Sequence, residues 1–194
     1  LRLRQTEINY NNSHILTPRK DIKVAIARDS AFGFYYQDDI DAFNNLGVEV
    51  VYFDTMKDTK LPKVDGLFIG GGFPEMHLNE LSSNKSMLID IRNKVNQGMP
   101  TYAECGGLMY LSNKITYKNN TYPMAGLVDA DTVISNRPVG RGYVKLESQA
   151  NHPWGNTSDC IYAHEFHYSK LENISPSTRY AYKVLRGFGV DNSN

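Results

Sequence analysis

Apolar and polar positions follow two rhythms along this chain, and the change from one to the other divides it. Residues 23–27 (Lys-Val-Ala-Ile-Ala) are a short apolar run rich in β-formers, which predicts a first buried strand. Over residues 34–46 the spacing of Tyr35, Ile40, Phe43 and Leu46 predicts a helix with one shared apolar face, and Gly47 is its expected stop. Residues 48–53 predict a second strand, and residues 65–69 a third that runs into Gly70-Gly71-Gly72. A helix in two pieces is expected over residues 77–97, then a fourth strand over 99–102. Strands alternating with helices in this order imply a parallel sheet covered on both faces. After the helix expected behind Cys105 the rhythm shortens. Strands are expected over 122–134, 142–147, 160–168 and 179–184 with little helix between them, as in a mixed or antiparallel extension. No internal repeat or low-complexity tract interrupts the pattern.

Composition narrows the class of protein. At 194 residues and 41% hydrophobic content the chain has enough apolar side chain for a core of ordinary size. Its formal net charge of +0 gives no electrostatic reason to expect nucleic acid or a membrane surface as partner. No apolar run approaches a membrane span, and residues 1–20 contain no signal-peptide core. With only Cys105 and Cys160 present, a disulfide scaffold is not expected, and a cytoplasmic reactive thiol is. The Asn156-Thr157-Ser158 match to a glycosylation site then reflects Asn-rich composition. Residues 1–20 mix charge, Asn and Pro as a linker would, and the chain stops in the turn Arg186-Gly187-Phe188-Gly189-Val190-Asp191. Both ends read as cut from a larger protein, with one domain over 21–194 that is truncated at its C-terminus.

Three clusters offer chemistry. Pro100 to Leu111 (Pro-Thr-Tyr-Ala-Glu-Cys-Gly-Gly-Leu-Met-Tyr-Leu) sets Cys105 between a strand and a helix with two glycines behind it. A buried small hydrophobe is the ordinary reading of a free cysteine. The strand–Cys-Gly-Gly–helix context favours a nucleophile on an elbow, its pKa lowered by the following helix start. Gly70-Gly71-Gly72-Phe73-Pro74-Glu75 is either a plain strand-to-helix turn, a pocket of N–H groups for an oxyanion, or a phosphate cradle, the last weakened by the lack of a following Lys-Ser/Thr. No P-loop motif occurs anywhere in the sequence. In Ala163-His164-Glu165-Phe166-His167-Tyr168-Ser169, strand alternation sends His164 and His167 to opposite faces, so one of them is the candidate base. Cys160, His164 and His167 as metal ligands are a weaker reading, because a fourth ligand is lacking, and no metal is expected. Glu104 touches the site or pairs on the surface. Arg137 and Arg141 are either solvated or carboxylate-binding, and Asp38, Asp39 and Asp41 cap and solvate the first helix. Trp154 carries no clear message.

Together the Gly70–Glu75 turn, the Tyr102–Leu111 elbow and the His164–Ser169 strand resemble the motifs of a class I (triad-type) glutamine amidotransferase domain. The similarity is to the cobyrinate a,c-diamide synthase family, including its nickel-sirohydrochlorin branch, and covers residues 23 to 191. The resemblance implies a three-layer, flavodoxin-like α/β fold with a mostly parallel central sheet. It implies that Cys105 attacks the glutamine amide and that His167 moves the proton. Backbone N–H groups at Gly71 or Gly72 and at Gly106 would hold the oxyanion. It also implies no cofactor in this domain. ATP and Mg2+ would serve an N-terminal synthetase domain, which receives the ammonia and acts on a tetrapyrrole substrate. Many triad-type domains carry Glu two residues after the histidine, where this chain has Ser169, so a Cys–His pair without a third carboxylate is expected. Rival readings are a cysteine peptidase or DJ-1-like hydrolase and a non-catalytic docking domain.

Overall fold

The structure, a computed structural model, describes residues 21–149 and 160–190. The linker expected over residues 1–20, Trp154, the Asn156-Thr157-Ser158 match and Asp191 lie outside the described residues. The first half is an α/β layer. Strands β1 (Lys23–Ala27), β3 (Glu49–Phe53), β4 (Gly66–Ile69) and β6 (Thr101–Ala103) form a parallel sheet in the order β3-β1-β4-β6. Between β1 and β3 lie β2 (Phe32–Phe34) and α1 (Gln37–Asn45), and β5 (Gly71–Gly72) follows β4. Then come α2 (Leu78–Ser83) and α3 (Lys85–Asn96), and α4 (Gly106–Leu111) directly follows the elbow. Among these four parallel strands, their carboxyl ends place Gly70–Gly72 and Glu104–Cys105 on one edge, the edge where open α/β sheets bind ligands.

Alternation assigns the two faces. Ala25, Ala27, Leu67 and Ile69 belong to a buried cluster with Leu78, Leu81, Met87, Leu88 and Ile91 from α2 and α3. Ile26 and its neighbour in register Phe68 face the other way, where Phe68 meets the rings of Tyr35, Phe43 and Tyr102. That face is thinly covered, since α1 buries none of its residues. The split of the second helical segment has a local cause: the Asn84 side chain accepts the Met87 N–H at 3.3 Å and caps α3.

The helix expected over 34–46 is shorter than its pattern. Phe32–Phe34 is a strand paired antiparallel with Gly71–Gly72, and Tyr35 precedes the helix rather than sharing its face. Long-range pairing with the glycine turn overrides the local helical spacing. Gly47 does end the helix, with φ +73.

In the second half the described elements are all strands. It comprises β7 (Ser112–Tyr117), β8 (Asn120–Pro123), β9 (Val128–Ile134), β10 (Gly140–Ser148), β11 (Ile161–His167), β12 (Ser169–Glu172) and β13 (Tyr182–Arg186). One mixed sheet runs β12-β9-β7-β8 and one antiparallel sheet β11-β10-β13, which is the mixed extension expected. Three details differ from the sequence reading. The strand expected over 122–134 is broken at residues 124–127, β7 is a strand that was not expected and follows α4 without a loop, and β12 is a further strand beyond those expected. Ser112 causes the second: its hydroxyl donates to the Met109 carbonyl at 2.7 Å and takes a bond from Thr132 Oγ1 at 3.0 Å, closing the helix and opening the strand in one residue.

Candidate active site

Cys105 stands between β6 and α4 with φ +49 and ψ −112, one of four described non-glycine residues with positive φ. Such a conformation costs about 1–3 kcal/mol and persists only where its surroundings enforce it. Here the Glu104 N–H donates to Ile69 O at 3.1 Å, and the Gly107 N–H donates to both Glu104 O at 2.8 Å and Gly70 O at 3.1 Å. Gly107 must be glycine for this closure, because a Cβ there would lie 2.1 Å from Ile69 O. Gly72 is equally constrained from outside the turn, its Cβ position being 1.9 Å from Ala31 O beside β2.

The side chain of Cys105 is exposed to the cleft, while its thiol is packed closely enough that burial pushes its pKa up. The Gly106 N–H points at the sulfur and lowers the pKa, the carboxylates of Glu104 and Glu75 raise it, and the Gly72 N–H lowers it. The net direction is upward, which corrects the expectation of a lowered thiol pKa. A helix of six residues carries too few aligned peptide dipoles to offset burial and two acids. The expected result is an iodoacetamide alkylation rate that rises with pH about a midpoint above the ordinary thiol value of about 8.5. Glu104→Gln is expected to move that midpoint down, because removing a negative charge favours the thiolate. An unchanged midpoint in this variant would show that Glu104 does not act on the sulfur.

Of the three glycines expected at the oxyanion, Gly106 and Gly72 are the two whose N–H groups bear on the Cys105 thiol. Gly106 and Gly72 are adjacent across the turn, a Cβ on Gly106 being 3.3 Å from Gly72 N. Gly71 instead forms the wall, its Cβ position 3.4 Å from Phe34 Cβ and 3.8 Å from Cys105 Cβ.

His167 ends β11 opposite Gly140, and its ring lies on that glycine, whose Cβ position is 2.1 Å from Nε2. Nδ1 is 2.7 Å from the Ser169 carbonyl. A carbonyl only accepts, so Nδ1 carries the proton and Nε2 is left with its lone pair in the neutral ring. The residue at the position of the absent glutamate thus supplies its main chain. His164, on the outer face as alternation requires, is exposed and meets the Tyr143 ring at 5.9 Å. Cys105 and His167 line the same cavity of about 290 Å³ together with Gly72, Phe73, Met109 and Phe166. No hydrogen bond joins the two among the described residues.

Glu165, for which the sequence offered no role, points its carboxylate at the last described turn. It accepts the Phe188 N–H at 2.8 Å and the Gly189 N–H at 3.0 Å, and Oε2 stands 3.6 Å from His167 Nε2. Glu104 accepts the Tyr102 hydroxyl at 2.9 Å, so it is both a surface partner and a neighbour of the thiol. Arg137 and Arg141 are exposed. Asp38 and Asp39 occupy the first turn of α1 but do not cap it, since Tyr36 is the N-cap residue and makes no side-chain cap bond, and Asp41 accepts the Gln37 side-chain amide at 2.8 Å. Among the described residues no three His, Cys, Asp or Glu side chains gather as a metal site. Nor is any described helix long and apolar enough to cross a membrane. Tyr35 was missed as a site residue, since an aromatic at helical spacing gives no sign that its hydroxyl serves the glycine turn.

Comparison with known proteins agrees with this geometry. Residues 23–192 match the CobB/CobQ-like glutamine amidotransferase domain. A cobyrinate a,c-diamide synthase from Magnetococcus marinus is 42% identical over 172 residues, covering 89% of this chain and 37% of the relative. One from Methanosarcina barkeri is 41% identical over 184 residues, covering 88% and 37%. The chain therefore spans little more than a third of the length of these relatives. Among solved structures, PurLQS from Thermotoga maritima superposes with a TM-score of 0.60 at 13% identity, covering 89% of this chain and 77% of that one. A crystal structure of a glutamine amidotransferase superposes at 0.58 with 16% identity, covering 82% and 79%. These two likenesses carry the flavodoxin-like fold alone. The length and strength of the domain match carry more: this chain belongs to the CobB/CobQ-like glutamine amidotransferase domain family.

Proposed function

We propose that the chain is the ammonia-producing half of an ATP-dependent a,c-diamide synthase, with Cys105 as nucleophile. The observation that carries this is the convergence of the Gly72 and Gly106 N–H groups on a cysteine held on a strained elbow. The Cys105 sulfur attacks the side-chain carbonyl carbon of glutamine, forming a C–S bond and an oxyanion that the two N–H groups stabilise. His167 Nε2 takes the thiol proton and returns it to the amide nitrogen. The C–N bond then breaks, ammonia leaves and a glutamyl thioester remains. Water cleaves the thioester to glutamate and restores the thiol. Transfer between Cys105 and His167 passes through one water or a narrowing of the cleft, since unliganded catalytic contacts are commonly loose.

The names of the relatives put cobyrinate ahead of nickel-sirohydrochlorin as the tetrapyrrole whose carboxylates are amidated. ATP and Mg2+ are assigned to a synthetase domain that would receive the ammonia. The glycine turn here does not suit a phosphate: Phe73, Pro74 and Glu75 follow it, and its Gly72 N–H is directed at the thiol.

The test is to incubate the chain and its His167→Asn variant with the glutamine analogue 6-diazo-5-oxo-L-norleucine and follow the adduct by mass spectrometry. The expected result is a single adduct on Cys105, formed on the order of 100-fold more slowly in the variant. An adduct elsewhere, or none, would overturn the glutaminase reading. Equal rates would remove His167 as the base.

A further inference from the structure

The Gly70–Gly72 turn is tied to the rest of the site through one side chain, that of Tyr35. This residue lies in the connection between β2 and α1, half-buried, with its ring edge-on to Phe68 at 5.2 Å. Its hydroxyl has two main-chain partners. It donates to the carbonyl of Ala27, the last residue of β1, and it accepts the Gly70 N–H at 3.1 Å. Gly70 in turn gives its carbonyl to the Gly107 N–H at 3.1 Å, inside the helix that follows the nucleophile. A continuous chain of bonds therefore runs from the end of β1 through Tyr35 and Gly70 to the elbow. The ring also fills the space over Gly70, where a Cβ would be 2.6 Å from it. Burial pushes the phenol up to about 12, so the O–H stays protonated and able to donate at any pH at which the protein is folded and working.

On the basis of the glutaminase reading, we propose that Tyr35 is a positioning residue for the oxyanion donors. Its hydroxyl sets Gly70 against the end of β1, so that two residues later the Gly72 N–H meets the Gly106 N–H at Cys105. β2 alone does not secure this geometry. Its pairing with Gly71–Gly72 is irregular between Phe32 and Phe34, and Phe34 is exposed. Asp29 joins the β2 side of this ribbon to the sheet, its carboxylate accepting the Phe32 N–H at 3.0 Å and the Thr55 N–H and hydroxyl at 2.7 Å. The Tyr35 hydroxyl is the side-chain hydrogen bond that reaches the glycine side at Gly70.

Tyr35→Phe keeps the ring over Gly70 and removes only the hydroxyl. Four measurements on the 194-residue chain and this variant decide the matter: amide hydrogen exchange at Gly70–Gly72, kcat and KM for ammonia release from glutamine, the iodoacetamide rate at Cys105, and the melting temperature. The expected result is faster exchange at Gly70 and kcat about tenfold lower, as for loss of a hydrogen bond that aligns an oxyanion donor. KM should not change, and the alkylation rate should fall by far less than kcat, because alkylation forms no oxyanion and feels the Gly72 N–H only through the thiol pKa. Unchanged exchange with unchanged kcat would overturn the proposal. A fall in kcat matched by falls in alkylation and melting temperature would also overturn it, by showing general loosening. If the unmodified chain neither releases ammonia nor takes the glutamine analogue, the glutaminase reading fails. The exchange comparison would still decide whether the hydroxyl holds the turn.

Discussion

Cys105→Ser is expected to release ammonia from glutamine on the order of 10⁴-fold more slowly than the unmodified chain, with its melting temperature unchanged. The substitution leaves the elbow, the N–H groups of Gly72 and Gly106 and the cavity in place, and replaces only the attacking atom. A serine hydroxyl ionises far less readily than a thiol, and the burial and acids that raise the Cys105 thiol pKa would hinder it further. Because Cys105 faces the cleft rather than the core, the change removes little packing. Joined to a synthetase domain, the variant should lose glutamine-dependent amidation and keep amidation driven by free ammonia. Glutaminase activity within tenfold of the original would show that another group attacks the amide.

Gly107→Ala is expected to destabilise the fold by about 3 kcal/mol, roughly 6–12 °C at this chain length. An added methyl would meet Ile69 O at 2.1 Å and Ile69 C at 2.8 Å. These are backbone atoms at the carboxyl end of β4, an inner strand of the parallel sheet, so no rotamer change relieves the clash. Relief requires α4 to move away from β4, and α4 carries the buried side chains Met109, Tyr110 and Leu111. Gly33→Ala is the control, since a Cβ there meets only Asp29 O at 3.9 Å. Urea denaturation of both variants checks the prediction. Equal midpoints for the two would mean that the close approach of α4 to β4 is not a source of stability.

Much of the architecture was legible because its signals are local. The strand at Lys23–Ala27 and the strand feeding the elbow are short apolar runs, and their order with the intervening helices implied the parallel sheet. The Cys-Gly-Gly elbow could be read because a positive φ at the cysteine and the contact of Gly107 with Ile69 restrict the residues that fit. Alternation along β11 separated His164 from His167 for the same reason, since a strand has period two.

What was not legible depended on partners distant in sequence. Residues 34–46 carry a helical spacing, yet Phe32–Phe34 pairs with glycines nearly forty positions away, and no local pattern records that. The thiol's shift had the opposite sign from the one expected, because Glu75 and the packing around the sulfur come from other segments. Ser169 looked like a missing carboxylate, and its carbonyl proved to be the group that orients His167, a role that side-chain identity does not report.

The sequence by itself determined the class of fold, the place of Cys105 on the elbow and the face of the histidine, because each follows from period, residue size or backbone conformation within a few residues. Tertiary structure alone decided which two glycines aim their N–H groups at Cys105, what holds the glycine turn and which way the thiol pKa moves. These depend on the distances between β2, β4 and α4, and such distances exist only once the segments have packed.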